Sequence, residues 1–144
     1  KDITGTVRQK NSGISRHALY FLTFNRQKLG FLGLHLKAQP DDVPSNLQRE
    51  HEMKMAQKII NGEIIKRGYQ PIVLGDLNDY DPDVPDRDET RNTMTGVLKG
   101  LKNYDATTPE DELVNAAAKI VRQADRYTNW WDRNENGLTG VSRL

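Results

Sequence analysis

The chain of 144 residues has no cysteine. Disulfides, thiolate zinc sites and cysteine nucleophiles are therefore excluded within it, and the redox compartment stays open. No apolar run reaches the roughly 20 residues that a membrane-spanning helix needs. No secretory signal pattern is visible. Internal repeats and low-complexity segments are also missing, so the length suits one domain or part of one. A net charge of +1 supplies no global field that would draw the chain to nucleic acid. The charges are unevenly spread. Residues 1–37 hold seven Lys or Arg and one acid, whereas 71–100 hold seven acids and three Lys or Arg. The basic arm suits a polyanion and the acidic segment a cation, although ordinary surface charge accounts for either alone. Apolar runs recur along the chain, unlike in a disordered one.

The most informative run is Pro71-Ile72-Val73-Leu74-Gly75-Asp76-Leu77-Asn78-Asp79-Tyr80-Asp81. Ile72–Leu74 is continuously apolar and reads as a strand buried on both faces of a sheet. Gly75 permits a tight exit turn. Asp76, Asn78 and Asp79 then stand at the end of a rigid strand, where a carboxylate and a carboxamide can meet a phosphate or a hard metal ion. Taken alone, the same residues also make an ordinary turn.

Upstream, Asn11-Ser12-Gly13 reads as a hairpin tip. Ala18–Phe24 and Leu29–Leu36 read as two strands of an antiparallel hairpin around Asn25–Lys28. His35 closes the second strand. Ser45 with Gln48 fits a capping box at the start of a helix. Leu47, the two methionines, Ala56, Ile59, Ile60 and Ile64 supply its apolar face. Gly62 weakens that helix locally, and Gly68 fits its C′ position. The helix returns the chain to the Ile72 strand, a strand–helix–strand crossover of an α/β protein. Further on, Thr93–Leu101 reads as a short helix. A second helix starts at Thr108-Pro109-Glu110 and continues over Leu113–Val121. Arg126–Trp131 reads as an aromatic strand. Asp132–Gly137 is a turn, and Val141–Leu144 enters another element.

In this layout His35 and the Asp76/Asn78 pair lie at carboxyl ends of strands, which gather on one edge of an α/β sheet. Histidine can protonate a leaving oxygen or stabilise an oxyanion near neutral pH. Asn78 can donate to a phosphate oxygen. Asp76 can orient an attacking water or bind a divalent ion. A lone strand histidine is more often a satisfied structural group. His17 and His51 lack comparable context and read as structural or surface residues.

Gly33-Leu34-His35-Leu36-Lys37, then a helix, then Ile72-Val73-Leu74-Gly75-Asp76-Leu77-Asn78-Asp79, resembles the endonuclease/exonuclease/phosphatase superfamily, the fold of pancreatic deoxyribonuclease. Ile14-Ser15-Arg16 is similar to that family's Ser-Arg segment, and Arg126–Trp131 to the aromatic strand before its last motif. The resemblance implies His35, Asp76 and Asn78 as catalytic residues. It implies Arg16 as a substrate-phosphate contact and Asp79 in a supporting role. It also implies Mg²⁺ or Mn²⁺, with Asp76 as a candidate ligand, a nucleic acid substrate and a four-layer α/β sandwich with a mixed, largely antiparallel sheet. Residues 1–144 then form a single partial domain, because the family's amino-terminal half and its final Asp-His pair find no match. Lys1 is not a natural initiator, so the chain is expected to begin within a longer protein. The missing half is expected to be required for activity, and the chain alone to be inactive.

Asp132-Arg133-Asn134-Glu135-Asn136-Gly137 resembles the start of a calcium loop, with oxygen donors at Asp132, Asn134 and Asn136. Arg143 occupies the twelfth position in place of glutamate, so a helix–loop–helix site is not expected. A looser Ca²⁺ loop beside Trp130 and Trp131 and a solvated turn both remain open. Two further alternatives stay open beside a nuclease: a phospholipid or inositol phosphate hydrolase on the same fold, and a non-catalytic calcium-stabilised binding module.

Overall fold

A computed structural model describes residues 17–39, 42–87, 95–105, 107 and 112–126, and the backbone of 129–131 and 141–143. The fold is α/β. Strands β1 (His17–Phe24), β2 (Gln27–His35) and β3 (Gln70–Asp76) form a mixed sheet in that order. β1 and β2 pair antiparallel, with His17 opposite Leu34 and Phe24 opposite Gln27. Only Asn25 and Arg26 lie between them, at φ of 47° and 66°. Two successive left-handed residues match the twist of a tight hairpin. β3 runs parallel to β2, with Leu29 beside Gln70 and His35 beside Asp76. The expected hairpin and crossover are both present.

Helix α1 (Val43–Ile59) provides the crossover. Its cap is Asp42, whose carboxylate accepts the Ser45 amide at 2.9 Å. The expected start at Ser45 is therefore one turn short. Asp42 is extended, and Pro44 needs no hydrogen-bond acceptor in the first turn, so together they start the helix earlier. The Gln48 side chain donates to Glu52 at 3.1 Å. After Ile59 the helix loosens into a wider π turn, Ile60–Ile64, which contains Gly62, and then tightens into Ile65–Arg67. Gly68 stops it at φ 75°.

One face of the sheet packs on this helix. Leu19, Leu32, Leu34 and Leu36 meet Met53, Ala56, Ile59, Ile60 and Ile64 in the core. Helix α2 (Val97–Lys102) closes the other side of α1 with Val97 and Leu101. A Cβ on Gly100 would stand 2.6 Å from Met53 Sδ, so glycine sets how closely the two helices approach. The second face of the sheet is uncovered among the described residues. Tyr20 is 61% exposed and Leu74 48%. This corrects the expectation of a β3 buried on both faces: the described helices cover only one.

Two helical expectations also change. Leu47 is 64% exposed, because the first half of α1 turns Ser45, Asn46, Arg49 and Glu52 inward instead. Residues 113–121 form only a short turn, Ala116–Lys119, capped by the Asn115 side chain on Ala117. Val114 and Val121 stay exposed, so no apolar face stabilises a longer helix there. A last turn spans Gln123–Asp125. Strands β4 (Asn129–Trp131) and β5 (Val141–Arg143) form a separate antiparallel pair. Residues 11–13, 93–94 and 108–110, on which further elements were expected, lie outside the described residues.

Candidate functional site at the ends of two parallel strands

The register sets the site. His35 and Asp76 are partners on adjacent parallel strands, at the last position of each. Neighbouring strands lie about 4.8 Å apart, and paired residues of a parallel ladder share a face. Both residues are exposed. β2 and β3 end together because Leu36 N–H donates to the Asp76 carbonyl at 2.9 Å, the last rung of the ladder.

Gly75 makes the approach feasible. Its φ is 125°, and a Cβ there would stand 2.0 Å from the Leu34 carbonyl oxygen. Only glycine tolerates both conditions. The chain then turns sharply. Asp76 Oδ1 accepts the Asn78 amide at 3.1 Å, and Asn78 itself has φ 51°. Asparagine is among the few residues with a side chain that adopt this region readily. The Asn78 carboxamide donates to the Leu36 carbonyl at 3.0 Å, latching the exit of β3 onto the exit of β2. An amide nitrogen carries two protons, so this bond uses one of them.

Asp79 points the other way. It is buried, accepts the Tyr80 amide at 2.8 Å and lies 3.7 Å from Arg49 Nε. Arg49 is 0% exposed. Its Nη1 donates to the Lys37 carbonyl at 2.7 Å, and its Nη2 donates to Asn46 Oδ1. Glu52, one turn along, accepts the Lys37 amide at 2.7 Å. Sequence reasoning passed over Arg49 and Glu52, because charged residues on a helix usually mark the solvent face. Their spacing of three was the available signal: it puts both on one face, the face that carries Met53 and Ala56.

The acidic loop that follows is neutralised internally. Lys102 of α2 donates to Asp83 Oδ2 at 2.7 Å and to Asp81 Oδ1 at 3.1 Å. Asn115 donates to the other Asp81 oxygen at 3.0 Å. The Lys102 hydrogen bond and charge hold the Asp83 carboxyl below its ordinary range. Burial opposes the Lys102 charge, but its bonds to Asp83 and Asp81 outweigh that and raise its pKa. Gln123 donates to the Asp86 carbonyl and Arg126 to that of Pro85, so the segment 112–126 wraps this loop.

The structure thus brings together His35, Asp76 and Asn78. Arg16 and the calcium-loop candidates Asp132, Asn134 and Asn136 lie outside the described residues. His17 is buried, opposite Leu34, and His51 is exposed on α1. Among the described residues no three histidine or acidic side chains are grouped to hold a metal ion. Mg²⁺ binds through one or two carboxylates, with waters and substrate phosphates completing its shell. The exposed Asp76 fits one such place for Mg²⁺ or Mn²⁺, whereas Asp79 is committed to Arg49 and the Tyr80 amide. No helix among the described residues is long and apolar enough to cross a membrane. Comparison with protein-family models, curated proteins and solved structures returned no match.

Proposed function

We propose that this chain carries half of the active site of a metal-assisted phosphodiester hydrolase of the deoxyribonuclease-like superfamily, acting on nucleic acid. The observation that carries this reading is the His35–Asp76 register, with Asn78 latched beside it. An imidazole, a carboxylate and a carboxamide then share one sheet edge. In the proposed reaction water attacks phosphorus in line with the leaving oxygen. Asp76 orients that water and draws its proton as the new P–O bond forms. The bond to the leaving oxygen breaks, and His35 supplies that oxygen with a proton or a hydrogen bond. Asn78 donates its second amide proton to a non-bridging phosphate oxygen. A divalent ion, when bound, would lower the charge on the phosphate, with Asp76 as one ligand.

The uncovered apolar face fits the same reading. A second sheet of a four-layer sandwich would pack there and bring the remaining metal ligands. On this proposal the chain needs that second half to be active.

The test is hydrolysis of supercoiled plasmid, a phospholipid and an inositol phosphate by the full-length protein, with Mg²⁺ or with chelator. We expect plasmid nicking that chelator stops, and an Asp76→Ala variant slower by at least about 10²-fold, the usual scale for an acid–base group. Lipid or inositol phosphate turnover without nicking would replace nucleic acid as the substrate. Hydrolysis that survives in the variant would remove Asp76 from the chemistry.

A further inference from the structure

Leu36 and Lys37, which directly follow His35, have every backbone polar group paired. Leu36 N–H donates to Asp76 O, and Leu36 O accepts from Asn78. Lys37 N–H donates to Glu52, and Lys37 O accepts from Arg49. Strand β3 holds the first residue, and helix α1 holds the second from both sides. The same guanidinium faces Asp79, three residues beyond Asp76. Arg49 therefore bridges the exits of both strands.

We infer that Arg49 is a positioning residue: its buried guanidinium holds the exits of β2 and β3 at one separation, and so sets where His35 stands relative to Asp76 and Asn78. This inference rests on the hydrolase reading above. Burying a guanidinium is unfavourable unless its donors are satisfied, and an apolar residue of similar volume often serves stability as well or better. The cation here gives geometry instead. Its planar fork donates in fixed directions, through the two Nη atoms to Lys37 O and Asn46, while Nε faces the Asp79 carboxylate at 3.7 Å as an ion pair without a hydrogen bond. Lysine offers a single point charge on a flexible stem and cannot span the three partners. Glu52 completes the brace by fixing Lys37 from its amide side. The charged groups that face Arg49 are thus Asp79 from the β3 exit and, through Lys37, Glu52 from its own helix.

The test uses Arg49→Lys and Glu52→Met in the full-length protein, with two readouts. The first is backbone amide exchange at Leu36, Lys37 and Asn78, compared with Leu32 and Ile59 in the core. We expect exchange at the strand exits to rise about tenfold, the scale of one lost hydrogen bond, with the core unchanged. The second is plasmid hydrolysis. We expect kcat to fall about 10–100-fold while KM moves less than about threefold, as for a misplaced catalytic group. If exits and core exchange faster together, and kcat per folded molecule holds, Arg49 merely supports the core and the inference fails. If Arg49→Lys does not fold, Glu52→Met decides the matter through the Lys37 amide, whose acceptor it removes. A wild-type protein that hydrolyses none of the phosphodiesters overturns the hydrolase reading; the exchange pattern then still shows whether the brace exists.

Discussion

At the scale of single residues, the site depends on backbone positions that few side chains tolerate. Gly75 is the strictest, since a methyl group there meets a carbonyl that the ladder cannot release. Gly75→Ala should cost at least about 2 kcal/mol of stability, from the strained φ and the clash together. Gly62→Ala is the matched control. Nothing lies within 4 Å of the Cβ it would add, and the position is helical. It should raise stability by about 0.5–1 kcal/mol. Thermal unfolding of the two variants checks both signs, and a tolerated alanine at position 75 would contradict the described turn.

At the scale of elements, Lys102 ties helix α2 to the loop after the site. The pH dependence of that link follows from two shifts. Asp83 lies below the ordinary 3.8, so its contribution is complete above that value and is lost as pH falls through the lower native one. Lys102 lies above the ordinary 10.5, so its contribution is complete below that value and is lost as pH rises through the higher native one. Replacing Lys102 with methionine should therefore cost stability over a broad neutral plateau. The cost should be about 1–3 kcal/mol, from the loss of the cation that serves the buried Asp81 carboxylate beside the Asp83 amide and Asn115. The gap between wild type and variant should narrow below about pH 4 and above about pH 10.5. Urea unfolding across pH measures it, and a gap that widens in acid would contradict the assignment.

The elements also show what the sequence carried and what it hid. The hairpin, the crossover helix and the Asp76–Asn78 turn were legible, because alternation, glycine placement and turn residues each act locally. The burial of Arg49 was not. Its reason lies in the Lys37 carbonyl, which lies beyond the sheet ladder and takes its hydrogen bond from Arg49 where α1 crosses the strand ends. Leu47 misled for the same reason: the helix turns its polar residues towards the loop backbone and leaves a leucine outside. Residues 113–121 misled because they follow the helix-start pattern Thr108-Pro109-Glu110, whereas Val114 and Val121 give no face to bury.

At the scale of the molecule, the sheet is covered on one face only among the described residues. Leu22 and Leu74 are each about half exposed on the other. An apolar sheet face of this kind favours association. The chain by itself should self-associate, and Leu22→Thr combined with Leu74→Thr should reduce that while changing stability by less than about 1 kcal/mol. Sedimentation velocity and thermal unfolding test the two halves of the statement. A large loss of stability would mean that the face is already buried.

The parallel pairing of β2 with β3 also has a kinetic consequence. The β1–β2 hairpin closes through two residues and can form within about 1–10 μs. β3 reaches β2 only across the intervening α1, and such distant pairings come late. His35 is then in position early, while Asp76 and Asn78 arrive last. The Leu36–Asn78 latch closes only when the slowest pairing is complete. Partly folded molecules would therefore carry the histidine without its carboxylate partner, and the onset of function should follow the final docking event rather than the collapse of the core.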